Sequence, residues 1–155
     1  MYQQWMLVLT LFLYSLISGC QLIQGSQIMR GAEYQGVLFT EGQVDRLYVG
    51  ETAFWTPTAE DVAALEAGLG AFLQKRADPR LDAQVLPTLP SYNRQYVGII
   101  EDGRRKVYVL FYCDIPLEEL QDDILIVLDG GDCYFQLKYD IEDKMFDELM
   151  VNGQA

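Results

Sequence analysis

Apolar positions along this chain change period several times, and each change marks an element. From Trp5 to Ile17 they form an apolar core with the length of the apolar part of a secretory signal. From Gln21 to Gly36 the chain is polar, contains glycine and lacks a period, which reads as a tether. Val37-Leu38-Phe39 and Val44 to Val49 read as short strands or a terminal turn. Helical spacing starts after Thr56-Pro57-Thr58, where Val62, Leu65, Leu69, Phe72 and Leu73 recur at steps of three and four. Thr58 is a good N-cap, and Glu60 and Asp61 place negative charge in the first turn. Lys75 and Arg76 suit the other end of the dipole, and Asp78-Pro79 stops the helix. Gly68 and Gly70 weaken it by about 1 kcal/mol each against alanine.

The strand signals come later. Tyr92–Glu101 and Lys106–Cys113 flank Asp102-Gly103, a pair that favours a hairpin turn. Val107–Tyr112 is apolar on both faces, which suggests a central strand with the helix over one side. Asp114–Asp123 is an acidic excursion. Ile124–Leu128 is a short apolar strand candidate, ended by Asp129-Gly130-Gly131-Asp132. In Cys133–Tyr139 the residues Cys133, Phe135, Leu137 and Tyr139 share one face, and Met145–Val151 follows as a last edge strand. If Cys113 opposes Cys133 in an antiparallel pair, Phe111 meets Phe135, Val109 meets Leu137 and Val107 meets Tyr139. A tight hairpin of Ile124–Leu128 with Cys133–Leu137 is the competing arrangement, and both hold if Cys133–Tyr139 is flanked on two sides. The expected fold class is α+β, with one amphipathic helix packed on a curved antiparallel meander of four to five strands.

The apolar run at the start ends in Ile17-Ser18-Gly19-Cys20. This quartet resembles the lipobox of bacterial lipoproteins. The resemblance implies cleavage before Cys20, a lipidated Cys20 as the first residue of the mature chain, and attachment to a membrane through that lipid. More than one acyl chain gives stable anchoring. Gln21, where an aspartate would favour the inner membrane, points to the outer membrane, periplasmic side, if the cell is Gram-negative. The alternative is a retained anchor over Trp5–Ile23, close to the ~20 residues that a span needs. The leading Met1-Tyr2-Gln3-Gln4 carries no lysine or arginine, where such signals usually do. The organisation expected is a signal peptide over residues 1–19, a tether over 20–36 and one α+β domain over 37–155.

The chain has 23 acidic and 11 basic residues and no histidine. The missing histidine excludes Ser-His, Cys-His and HExxH mechanisms and the histidine-containing zinc sites. Between Asp114 and Glu148 twelve acids face only Lys138 and Lys144, a surface that repels phosphate backbones, so no nucleic acid is expected as a partner. Cys113 and Cys133 remain in the mature domain, and in an exported chain an even pair reads as a disulfide. Closing a loop of about twenty residues, it would contribute about 3 kcal/mol.

Tyr92–Gly98 and Asp129–Tyr139, with the closing Val151-Asn152-Gly153, are similar to small exported bacterial proteins of unassigned activity. The order of helix then meander, from Thr56 onward, resembles the cystatin-like fold. Protease inhibition in that family uses a Gln-x-Val-x-Gly loop at a hairpin tip, whereas this chain has Gln95-Tyr96-Val97-Gly98 within a strand. Asp129–Asp132 lacks the spaced ligand series of a calcium loop, and no metal or other cofactor is expected. Arg94 between Tyr92 and Tyr96, with Tyr108 and Tyr112 on the neighbouring strand, makes either an amphipathic skin over the sheet or a ligand face for an anion or sugar. The reading that follows is a lipid-anchored envelope protein, a non-enzymatic module that binds an envelope protein or ligand. Its alternative is an Asp/Tyr-based enzyme or small-ligand binder on an open sheet face.

Overall fold

The structure, a computed structural model, describes residues 25–44, 53–81 and 85–153. The leading segment, Cys20 and most of Val44–Val49 lie outside these residues. No helix among the described residues is long and apolar enough to cross a membrane.

The helix forms where its pattern places it. Helix α1 spans Ala59–Arg76 behind the cap residue Thr58. Thr58 Oγ1 accepts from the Asp61 amide at 3.2 Å, and Asp61 Oδ2 accepts from the Thr58 amide at 2.8 Å, a reciprocal cap that satisfies two otherwise orphaned N–H groups. Ala77 ends it in the left-handed region at φ 47°. Val62, Leu65, Leu69 and Leu73 are buried against the sheet, while Phe72 lies at the rim of that face. A second helix, α2, is one turn, Val85–Thr88.

Among the described residues the sheet has seven strands and is open. They are β1 (Gln27–Arg30), β2 (Gln35–Phe39), β3 (Ala53–Trp55), β4 (Asn93–Glu101), β5 (Arg104–Tyr112), β6 (Tyr134–Asp140) and β7 (Met145–Val151). Their order is β1-β2-β4-β5-β6-β7, and β3 pairs with β4 off this path. The expected all-antiparallel meander of four to five strands is therefore corrected to a larger, mixed sheet. β2 runs parallel to β4, with Gln35 opposite Asn93 and Phe39 opposite Val97. A parallel neighbour needs a crossover connection rather than a hairpin, and α1 lies within that connection. Gln27–Arg30 pairs antiparallel with β2, so the sheet begins within residues 20–36.

The C-terminal half keeps the expected register. Asp102 and Gly103, at φ 52° and 73°, form the two-residue turn between Glu101 and Arg104, where two left-handed residues match the twist of the strands. Phe111 opposes Phe135, Val109 opposes Leu137 and Val107 opposes Tyr139. The Phe111 and Phe135 rings stack at 4.2 Å. The Cys113 and Cys133 sulfurs are bonded, with their Cα atoms 5.0 Å apart.

Both faces of the sheet are filled. α1 covers the face of Tyr96, Val107, Val109, Phe111 and Leu137. The chain from Cys113 to Cys133 crosses the opposite face, where Leu117 and Leu120 join Val37, Val97, Ile99, Tyr108 and Leu110. Ile124–Leu128, expected as a strand, is an irregular cover segment whose Ile124, Ile126 and Val127 pack on this second cluster. Its apolar run is explained by burial against the sheet from above rather than by pairing within it.

Candidate functional site

The expected ligand face does not assemble. Tyr92, Arg94 and Tyr96 lie on the face under α1, while Tyr108 and Tyr112 lie on the opposite face, and all five are buried. Cross-strand register explains the split: Arg94 opposes Phe111 and Tyr96 opposes Val109, so Tyr108 and Tyr112 point the other way.

Arg94 is instead an internal tie. Its side chain is 1% exposed and its Nε lies 3.0 Å from Glu66 Oε1 on α1. Its Nη1 donates to Tyr92 O at 2.7 Å and its Nη2 to Leu89 O at 3.1 Å. The guanidinium sits 5.4 Å from the Phe111 ring centre, a cation–π contact. Tyr96 Oη donates to Glu66 Oε1 at 2.7 Å. Burial pushes the Glu66 carboxyl above its usual range, against the opposing pull of Arg94 and the Tyr96 hydroxyl. Glu66 is a site residue that helical spacing alone could have marked. It stands four residues after Val62, three before Leu69 and seven before Leu73, on the buried stripe of the helix.

On the other face a polar clamp holds the cover segment. Gln95, fully buried in β4, donates through Nε2 to Leu120 O at 2.8 Å and Asp123 O at 2.7 Å. Its Oε1 accepts from the Leu125 amide at 3.0 Å and from Tyr112 Oη at 2.7 Å. Asn93 Nδ2 donates to Ile115 O and Asn152 Nδ2 to Val127 O, at 2.7 Å and 2.6 Å. Gln95–Gly98 is therefore an interior stretch of a central strand and not a projecting inhibitory loop. Gly130 and Gly131, at φ 94° and 61°, are required by the turn itself.

Most cations in the described residues are matched to acids. Lys106 Nζ pairs with Glu101 at 2.8 Å and Asp147 at 2.9 Å, and Lys138 Nζ with Glu101 at 2.5 Å and Glu148 at 2.6 Å. Burial disfavours the charge on both lysines, but these carboxylates outweigh it and hold both ammonium groups above their usual range. Arg80 pairs with Asp78, and Arg104 with Asp140 and Asp143.

Lys75 and Arg76, at the end of α1, form no ion pair among the described residues. With Phe72, Met145 and Phe146 they line an open groove of about 420 Å³ between the helix end and β7. The Phe72 and Phe146 rings stack at 4.8 Å, and Met145 is 63% exposed. Gly68 lets the ring reach the helix: a methyl there would stand 3.1 Å from Phe146 Cε2. An apolar floor with two exposed cations at its edge suits a ligand that is apolar in one part and anionic in another. In the sequence, Lys75 and Arg76 are accounted for by the helix dipole and Phe72 by the core, so their meeting with Met145–Phe146 is visible only in three dimensions.

Comparisons of this chain with protein-family models, curated proteins and solved structures give no match.

Proposed function

We propose that this protein is a lipid-anchored component of the cell envelope whose single α+β domain works by binding another envelope component rather than by turnover. The anchor is Cys20, at the end of Ile17-Ser18-Gly19-Cys20, and the outer membrane, periplasmic side, is the address in a Gram-negative cell. The bonded pair Cys113–Cys133 suits such an oxidising space. We read α1 laid across the β4–β7 meander as a cystatin-like core, with β1, β2 and β3 added along one side.

The observation that carries the binding reading is the distribution of surface. Both sheet faces are filled, and the apolar groove lined by Phe72, Phe146 and Met145 stays open beside the exposed Lys75 and Arg76. The Asp/Tyr-based alternative required an accessible arginine with a desolvated acid. Arg94 does meet such an acid in Glu66, but both are buried, so this alternative loses its ligand face.

Intact-mass analysis of protein extracted from membranes tests the anchor. The expected mass begins at Cys20, carries acyl chains, and includes two fewer hydrogens before reduction than after it. A chain that retains Met1 and an unmodified Cys20 would overturn the proposal. Reproducible turnover of any envelope polymer by the purified protein would overturn its non-enzymatic part.

A further inference from the structure

We infer that the partner is bound as an extended, acidic segment of another protein, added as a further strand on the outer edge of β7 with an apolar side chain in the adjoining groove. The inference rests on the reading of this domain as a binding module and names what that module takes.

Three features of the structure converge here. First, β7 ends the open sheet, and among the described residues no strand pairs with its outer edge. The outer backbone of β7 forms a template for strand addition on either side of a bulge at which Glu148 is left-handed at φ 48°, whereas β1, at the opposite margin, spans only four residues. Second, the acids of β7 are each paired with a lysine of the neighbouring strands, Asp147 with Lys106 and Glu148 with Lys138, which offsets their charge at that edge. Third, the groove begins at Met145 and Phe146, the first two residues of the same strand, so one added segment reaches both the edge and the groove.

Charge selects the kind of segment. The chain carries a formal net charge of -12, so its general field repels acids. Lys75 and Arg76 place two positive charges on the rim of the groove, at the end of α1. A carboxylate of the incoming segment placed there meets two exposed cations that form no ion pair among the described residues.

The test uses the full chain in detergent and three synthetic peptides. One alternates valine and serine with a phenylalanine near one end, followed by two glutamates. The second replaces the glutamates with lysines. The third is the glutamate peptide with alternate backbone amides methylated, which removes the donors needed for strand pairing. Binding is read by titration, and its location by hydrogen exchange. The glutamate peptide is expected to slow exchange in Met145–Val151 and to bind about tenfold or more tightly than the lysine peptide at low salt. The methylated peptide is expected to lose binding. The double variant K75E/R76E, at two exposed positions, is expected to reverse the preference between the first two peptides.

Equal binding of the two charge forms, no added protection in β7 at millimolar peptide, or an unchanged preference in K75E/R76E would overturn the inference. Self-association of the protein through β7 in place of peptide binding would overturn it as well. Absence of peptide binding by a chain shown to be acylated at Cys20 would defeat this inference alone. An unmodified Cys20 in a chain that does bind the glutamate peptide would defeat only the envelope reading.

Discussion

Replacing Gln95 with leucine tests whether the clamp holds the cover segment on the sheet. The side chain makes four hydrogen bonds, to Leu120 O, Asp123 O, the Leu125 amide and Tyr112 Oη. At about 1 kcal/mol net for each, their loss amounts to roughly 4 kcal/mol. Tyr112 Oη, with one proton to donate, turns to its alternative acceptor, Leu125 O at 2.6 Å, which brings the loss toward three bonds. The Leu125 amide and the two carbonyls lose theirs, in a segment packed against an apolar face. Leucine fills similar volume and regains some transfer energy, so the expected loss is ~3–4 kcal/mol. For a domain of this size that lowers the melting temperature by roughly 10–15 °C. Denaturant unfolding with the disulfide intact gives the magnitude, and hydrogen exchange at Leu125 gives the location. In Gln95→Leu that amide should exchange by local opening well below the global unfolding energy. Gln95→Glu should be worse, since a carboxylate cannot donate to either carbonyl. A loss under about 1 kcal/mol, or a Leu125 amide as slow in the variant as in the parent, would refute the clamp.

Removing the bridge by Cys113→Ser with Cys133→Ser should lower stability by about 3 kcal/mol in denaturant titrations, and an intact-protein value unchanged by reduction would contradict it. Arg94→Met leaves the Glu66 carboxylate buried without its partner, and breaking such a pair costs about 3–5 kcal/mol at neutral pH. Because the folded Glu66 pKa is already raised above 4.5, the stability linked to its proton is full below that value and lost as pH rises through the raised one. Arg94→Met removes a contribution that lowers this pKa, so its destabilisation should be smaller at pH 4 than at pH 7; a loss independent of pH would be inconsistent with the pairing. The two remaining substitutions contrast an open and a closed glycine. Gly70→Ala, with nothing within 4 Å of the new methyl, should stabilise α1 by about 0.5–1 kcal/mol. Gly36→Ala would place its methyl 2.6 Å from Tyr96 Cε2 and 2.7 Å from Arg94 O, and should cost roughly 1–3 kcal/mol in thermal melts.

Where neighbours in space are neighbours in sequence, the pattern of residues was enough. The caps and buried stripe of α1, the Asp102-Gly103 turn and the β5–β6 register all follow from local period, turn chemistry and the spacing of two cysteines. The mixed character of the sheet was not legible, because β2 meets β4 across 58 residues and parallel pairing leaves no turn signature. Ile124–Leu128 was misread for a related reason: a short apolar run states that it is buried, not whether it lies in a sheet or over one. Arg94, Tyr96, Tyr108 and Tyr112 lie on the expected strands and Tyr92 just before β4, but a period of two fixes a face without revealing what covers it. The groove escaped entirely, since its two walls come from elements almost seventy positions apart.

The parallel contact between β2 and β4 also sets an order of events during synthesis. Val37-Leu38-Phe39 emerges long before Asn93–Val97, the partner that will shield one of its margins. Until then a fully apolar tripeptide waits in the nascent chain with half its backbone unclaimed, while the β4–β7 hairpins can close as soon as they appear. Any factor that keeps this polypeptide from clumping on its way to its destination would therefore have most reason to hold it near the beginning, and to let go only when the middle of the chain has arrived.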